Sequence, residues 1–300
     1  MRNLLVSTIA IATMFAAPAL AGDLQTAKGK PLYMQAPVYS WTGWYAGVNV
    51  GYSWGRSDSD FSFANGAGAV AFVGSDSANM NGVIGGGQFG FNRQIYNYVW
   101  GFETDFQGSA QKGNSGATCA GGTSGVTPLT LVNSACAPGH IGDTRPFDVA
   151  AFPVSIGMNQ ELEWFGTVRG RFGYLATPTI LFYGTGGLAY GRVNTTATVN
   201  GINVIGVNGT NPFDLSAGAA TSSSSAFKAG WTLGAGVEGQ LGGNWSAKVE
   251  YLYIDLGTVS GAFATPIISP SGSTLVARYS SHITDNILRV GVNYNFSSAP

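Results

Sequence analysis

Histidine and cysteine are scarce in these 300 residues: His140 and His282, Cys119 and Cys136 are the only ones. His140 precedes Asp143 by three positions in the longest loop, and the chain has many serines. A serine, a histidine and an aspartate can activate a hydroxyl for acyl transfer, but only in a fixed mutual geometry. Nothing in this spacing fixes one, and a solvated loop histidine is the plainer reading. Glu161 and Asp255 read in the same way as rim charges. The glycine runs GGGQFG (85–90) and GGLAYG (186–191) superficially resemble phosphate loops. Each lies inside an alternating strand with no helix after it, so phosphate binding is rejected. Two isolated cysteines with distant histidines make no metal-ligand set. No catalytic, cofactor or metal site follows from the sequence.

The charges with a pattern are Glu103, Asp105, Arg169, Arg171, Lys228, Glu238, Lys248, Glu250 and Arg289. Each falls on one face of a segment whose other face is aromatic or aliphatic. Five positive and four negative groups nearly cancel. That balance suits a paired network inside a narrow wall better than a charged, selective pore. Sequential neighbours should pair, Glu103 with Arg171 and Asp105 with Arg169.

The segments carrying these charges read as strands. From Trp164 to Tyr174, Trp, Gly, Val, Gly, Phe and Tyr alternate with a set containing Glu163, Phe165, Thr167, Arg169 and Arg171. A period of two is that of a strand with unlike faces. A tight link at 176–179 leads into a second alternating run from Ile180 to Arg192. Further runs start at Trp41, Asn81, Tyr98, Phe227, Trp245 and His282. Their number is about eight. Short connections at 93–97, 176–179 and 241–244 alternate with long ones at 56–80, 108–160, 193–226 and 257–281. This is the plan of an all-β, eight-stranded antiparallel up-and-down transmembrane barrel, with short turns on the periplasmic side and long loops outside. A soluble barrel, apolar inside, is the alternative. It would have to place many Trp, Phe and Tyr residues in an interior that eight strands leave only just wide enough for side chains. The reverse register would put Arg169 and Arg171 in lipid at about 2–4 kcal/mol each. Aromatics also gather at both strand ends: Trp44, Tyr98, Tyr174, Trp245 and Tyr294 near the turns, Trp54, Trp164, Tyr190 and Tyr253 near the loops. Paired girdles mark membrane barrels.

Composition agrees. Only 10% of residues are charged, net charge is −1, and glycine makes up 45 residues. Soluble domains average about 25% charged and 7% glycine. A near-zero net charge gives no reason to invoke nucleic acid. Residues 1–21 have a short basic start, an uncharged run and the small-residue pattern Ala19-Leu20-Ala21, as a signal peptide cleaved after Ala21 has. Residues 22–40 read as a periplasmic linker, 41–296 as the barrel and 297–300 as a short tail. Export to an oxidising compartment favours a Cys119–Cys136 disulfide within the longest loop.

WTGWYAGVNVGYSWG, WFGTVRGRFGYL, LFYGTGGLAYG, GWTLGAGVEGQLGGNWSAKVEYLYIDLG and NILRVGVNYNF together resemble the small outer-membrane β-barrel proteins of alphaproteobacteria, the outer-membrane immunogenic or surface-antigen type. The resemblance covers the strands from Trp41 to Phe296 and not the loops. It implies an OmpA-type barrel in the outer membrane, envelope-integrity and surface-recognition roles, and assembly by the barrel-assembly machinery. Outer-membrane lipid and lipopolysaccharide would surround it, and haemin or a host-surface ligand would meet its loops, as in some relatives. Chains of the family usually end on an aromatic, whereas Ser297–Pro300 follows Phe296 here. Two functions are compatible with this pattern: a structural surface barrel with a largely plugged interior, or a small-solute pore. A surface enzyme is the distant third.

Overall fold

The computed structural model describes residues 39–64, 70–119, 149–151, 154–200, 204–206, 214–215, 219–268 and 274–296. The expected signal peptide, most of the linker, the C-terminal tail, His140, Asp143 and Cys136 lie outside these residues, and the disulfide with them.

Eight long strands form the wall: β1 (Gly43–Ala64), β2 (Val70–Ile95), β3 (Tyr98–Cys119), β4 (Val154–Thr177), β5 (Ile180–Asn200), β6 (Ala219–Gly242), β7 (Trp245–Ile268) and β8 (Thr274–Asn295). Each pairs antiparallel with its neighbours in the chain, and β8 pairs with β1 to close the barrel. Segments 149–151, 204–206 and 214–215 form a separate small sheet. Three links at one end of the barrel are two residues long: Tyr96–Asn97, Pro178–Thr179 and Gly243–Asn244. Tyr96 (φ 56°) and Gly243 (φ 54°) take the left-handed conformation that such turns require.

The strands run 21 to 26 residues, about twice what a tilted membrane-spanning strand needs. Much of the expected loops is therefore strand: 56–64 and 70–80, 108–119 and 154–160, 193–200 and 219–226, and 257–268 and 274–281, which corrects the loop boundaries at 56–80, 108–160, 193–226 and 257–281. The reason is a reversal of side-chain polarity along each strand. On β1 the outward residues are Trp44, Ala46, Val48, Val50, Tyr52 and Trp54, then Arg56, Asp58 and Asp60. From Trp44 to Trp54 is ten steps, roughly 25 Å along the barrel axis once tilt is included, which matches a lipid-facing band. Beyond it the wall stands in water. The same exchange follows Tyr190 on β5, with Arg192, Asn194 and Thr196 outward, and Leu288 on β8, with Asn286, Thr284 and His282 outward.

Inside, the pattern inverts as well. From the upper part of the lipid band outward, Phe61, Met80, Ile84, Ile156, Met158, Leu162, Phe165, Val193, Leu256, Val259 and Ile283 form one buried apolar cluster. This corrects the expectation that large side chains all face outward. Inward large side chains are not confined to that half, since Tyr45, Leu181 and Tyr183 point into the barrel within the membrane band. In the protruding half water, not lipid, lies outside, and the large apolar side chains turn inward for the usual hydrophobic reason. An irregularity in β4 serves this change. The β4–β5 register slips between Leu162 and Trp164, so Leu162 and Phe165 both point inward. Glu163, expected on the inner face, is turned out beside Arg192, 3.7 Å away.

Two ladders stop early. The β2–β3 ladder ends at Asn81–Lys112 and the β6–β7 ladder at Trp231–Asp255. All other ladders continue beyond those levels. Above those levels β2 and β3, and β6 and β7, form no further ladder among the described residues, although the strands stay close: Asp76 accepts the Gly116 N–H at 2.7 Å across the first seam. The β6–β7 split coincides with a bulge between Asp255 and Gly257, where Gly257 adopts φ 69° and its N–H bonds Asp255 Oδ1 at 2.8 Å. Bulges re-aim a strand in this manner.

The polarity reversal places the long end in water, and the short-turn, long-loop plan of outer-membrane barrels leads us to expect it on the cell exterior. Ser223→Cys on β6 is expected to react with a membrane-impermeant maleimide on intact cells. Tyr96→Cys, 89% exposed at a short turn, should react only after lysis. The opposite pattern would invert the topology.

Candidate functional site

The interior is built in layers. At the turn end Trp41 lies across the barrel mouth, buried with Val99, Leu175, Leu181 and Tyr183. Its backbone N–H donates to Gln94 Oε1 (3.0 Å) and its indole N–H to the Pro178 carbonyl (3.1 Å). Two-residue turns hold those acceptors in place, so the residues just before β1 cover the mouth.

Above this lid lie four carboxylates, Glu103, Asp105, Glu238 and Glu250, and four cations, Arg169, Arg171, Lys248 and Arg289. None is more than 4% exposed. They come from β3, β4, β6, β7 and β8, whose inward positions converge on the axis at one height. Lys248 donates to both oxygens of Glu103 at 2.8 Å. Arg169 bonds Glu103, and reaches Asp105 at 2.9 Å and Glu250 at 3.1 Å. Arg289 bonds Asp105 (2.9 Å) and donates through Nε to Glu250 (2.7 Å). Arg171 grips Glu238 at 2.5 Å and stacks on the Tyr183 ring, 3.8 Å from its centroid. Tyr45 donates to Glu103 (2.8 Å) and Tyr183 to Glu250 (3.0 Å). Four charges of each sign leave the set neutral, as burial demands of ions that cannot be hydrated.

Glycine makes room for this arrangement. A Cβ on Gly90 would sit 2.5 Å from the Tyr45 hydroxyl, and one on Gly236 would sit 2.6 Å from the Tyr183 ring. Both tyrosines lie flat over a neighbouring strand because those positions carry no side chain.

Two sequence expectations change. Arg171 pairs with Glu238 and stands 3.8 Å from Glu103. Glu103 lies directly across from Arg169 in the β3–β4 register, one inward position away from the assumed alignment. Asp105 and Arg169 do meet. Lys228 faces the barrel but lies far above the ions, at the level of Gly191. There its ammonium donates to the Thr258 carbonyl at 2.6 Å, and it is no part of the cluster.

Sequence reasoning missed Asn49, Gln88 and Asn293, which extend the polar layer. Gln88 donates to Asn293 (2.7 Å), and Asn293 to Glu238 (2.8 Å). It also missed Asp285, buried higher up and held by Ser53 and by Gln111 at 2.9 Å. The signal was present, since each lies on the inner face of its strand; the emphasis on formal charge passed over the amides, and Asp285 lies in a part of β8 whose alternation was not followed.

His282 lies on the outer surface, 3.5 Å from Asp255 and 3.4 Å from Thr258 Oγ1. The order hydroxyl, imidazole, carboxylate is suggestive, yet both contacts are at the outer limit of hydrogen bonding and the ring is half exposed. The trio ties β7 to β8 beside the bulge.

An eight-stranded barrel with a lipid-facing apolar band, aromatic girdles and a neutral ion core is a transmembrane barrel of the outer-membrane class. Residues 7–296 match the family model described as the outer membrane protein beta-barrel domain, and the chain belongs to that family. It is 35% identical over 95% of its length to the 31 kDa outer-membrane immunogenic protein of Brucella melitensis biotype 1, covering 97% of that protein. It is 25% identical over 94% of its length to the 25 kDa outer-membrane immunogenic protein of Brucella abortus, covering 92% of it. Among solved structures, the outer membrane protein OprG of Pseudomonas aeruginosa aligns over 86% of this chain and 97% of that one, with 13% identity and a TM-score of 0.42. The protein resides in the outer membrane.

Proposed function

We propose that this protein is a non-conducting structural and surface-display barrel of the outer membrane, serving envelope integrity and recognition rather than solute passage or catalysis. The observation that carries this reading is the neutral cluster of eight buried ions, with apolar layers on either side of it. A permeating solute would have to separate paired charges and pass two layers of buried side chains. Truncating one partner of a buried pair costs about 3–5 kcal/mol, which indicates the scale of such a barrier. Lipopolysaccharide and outer-leaflet lipid are the partners this reading assigns to the aromatic band, and the barrel-assembly machinery to its biogenesis. Recognition of haemin or a host-surface ligand would fall to residues 120–148 and 201–218, largely outside the described residues.

The refolded protein in a planar bilayer is expected to leave the membrane at its baseline conductance. Replacing Trp41 and Arg171 together by alanine should introduce current steps. Steady open-channel current from the unaltered protein would favour the small-solute pore.

A further inference from the structure

Above the ion cluster the interior holds one more carboxyl, and no cation pairs with it among the described residues. Asp285 lies on β8 one residue beyond Asn286, which is level with the outer girdle residues Trp54 and Tyr253. It is 2% exposed. Its side chain leans over β1, where Gly55 leaves room: a Cβ there would sit 3.0 Å from Asp285 Oδ1. Every donor it meets is neutral. The Ser53 hydroxyl donates to Oδ1, and the Gln111 amide donates to Oδ2 at 2.9 Å and to the Ser53 oxygen. The apolar cluster encloses the rest, with Ile283 and Ile287 as the inward neighbours on β8 and Ile254 opposite on β7.

The charged groups of the strands packed around Asp285 are turned elsewhere. Arg56 and Asp58 of β1, Lys112 of β3, Glu161 and Glu163 of β4 and Asp255 of β7 lie on the outer surface, as does His282 of β8. At this level β2 presents the uncharged Met80, Gly82 and Ile84. The first ionised groups below Asp285 on β8, β7 and β3 are Arg289, Glu250 and Asp105, which bond one another. The ion cluster is neutral without Asp285, so ionising it would give the interior a net negative charge. A carboxyl buried among neutral groups holds its proton instead, and burial pushes that of Asp285 up to about 6.

Its neighbours make this proton matter to the fold. Gln111 lies where the β2–β3 ladder ends, beside Asn81–Lys112, and where β3 shifts register against β4 between Gly108 and Gln111. The contacts among Asp285, Ser53 and Gln111 therefore tie β8 and β1 to β3 through the interior, at the base of the protruding half.

We propose that Asp285 is a proton-binding site that tightens the protruding half in mildly acidic surroundings and loosens it on ionising. The folded protein holds this proton more strongly than the unfolded chain, where an aspartate titrates near about 3.9. The stabilisation is therefore complete below about pH 4 and is lost as pH rises through about 6.

Hydrogen exchange of the full-length protein in detergent micelles, corrected for the intrinsic pH dependence of exchange, tests this. Protection of the amides of 109–113 and 281–287 is expected to fall by up to about a hundredfold between about pH 4 and about pH 7, as a carboxyl raised by about two pH units requires. Asp285→Asn keeps the shape without the titration and should show high protection at both pH values. The infrared carbonyl band of an un-ionised carboxyl should be present in the unaltered protein at about pH 5 and weaker in Asp285→Asn. Protection in the unaltered protein that is flat or rises with pH would overturn the proposal. So would a pH dependence kept by Asp285→Asn, or a carboxyl band that this change leaves untouched. Recovery of protection at about pH 7 on adding sodium chloride would also overturn it, since a cation and not a proton would then occupy the site.

Discussion

Alanine at Glu103 is expected to destabilise the barrel more than alanine at any other member of the ion cluster. Glu103 touches Lys248, Arg169 and the Tyr45 hydroxyl directly, with Arg289 at 3.5 Å and Arg171 at 3.8 Å. Removing its carboxylate leaves buried cations facing one another, and breaking a buried pair from one side costs about 3–5 kcal/mol. The urea midpoint of the protein refolded in micelles should fall accordingly. Adding Lys248→Met should recover much of the loss, because it removes the stranded charge and keeps the volume. The second cycle concerns register. Arg171→Ala should couple strongly with Glu238→Ala and weakly with Glu103→Ala, following the 2.5 Å and 3.8 Å contacts. Additive losses in every pair would mean that the ions are hydrated and the interior open.

Phe165→Ala and Phe172→Ala should differ several-fold in their cost, although both are phenylalanine-to-alanine changes in β4. Phe165 is fully buried in the apolar cluster of the protruding half, whereas Phe172 is 61% exposed on the lipid face. Truncating a phenylalanine in a packed core costs about 3–5 kcal/mol, through lost transfer energy and the cavity left behind. On the lipid face acyl chains fill the space and are as apolar as the ring, so about 1 kcal/mol or less is expected. Unfolding midpoints in micelles of the two variants measure this directly. Equal costs would place the two side chains in equivalent surroundings and contradict the inversion of faces between the two halves.

The sequence by itself determined the strand count, the pairing order, the turn positions and which residues face inward within the membrane. All of these follow from a period of two interrupted by turn residues, and both signals are local. The girdles at Trp44 and Trp54 and the inward placement of Glu103, Arg169 and Arg289 are legible for that reason. Three things were decided only in three dimensions. Partner choice was one: Arg171 meets Glu238 rather than Glu103 because the β3–β4 register is offset by one inward position, and register is a property of two strands. Strand length was another. The serine- and glycine-rich segments read as loops because a loop and a water-washed outer face share a composition, and only pairing over Arg56–Ala64 or Thr221–Gly230 tells them apart. The last was which solvent lies outside. Ile283 and Val290 are both apolar residues of β8, one turned in and the other out, and the lipid boundary between them makes each placement favourable.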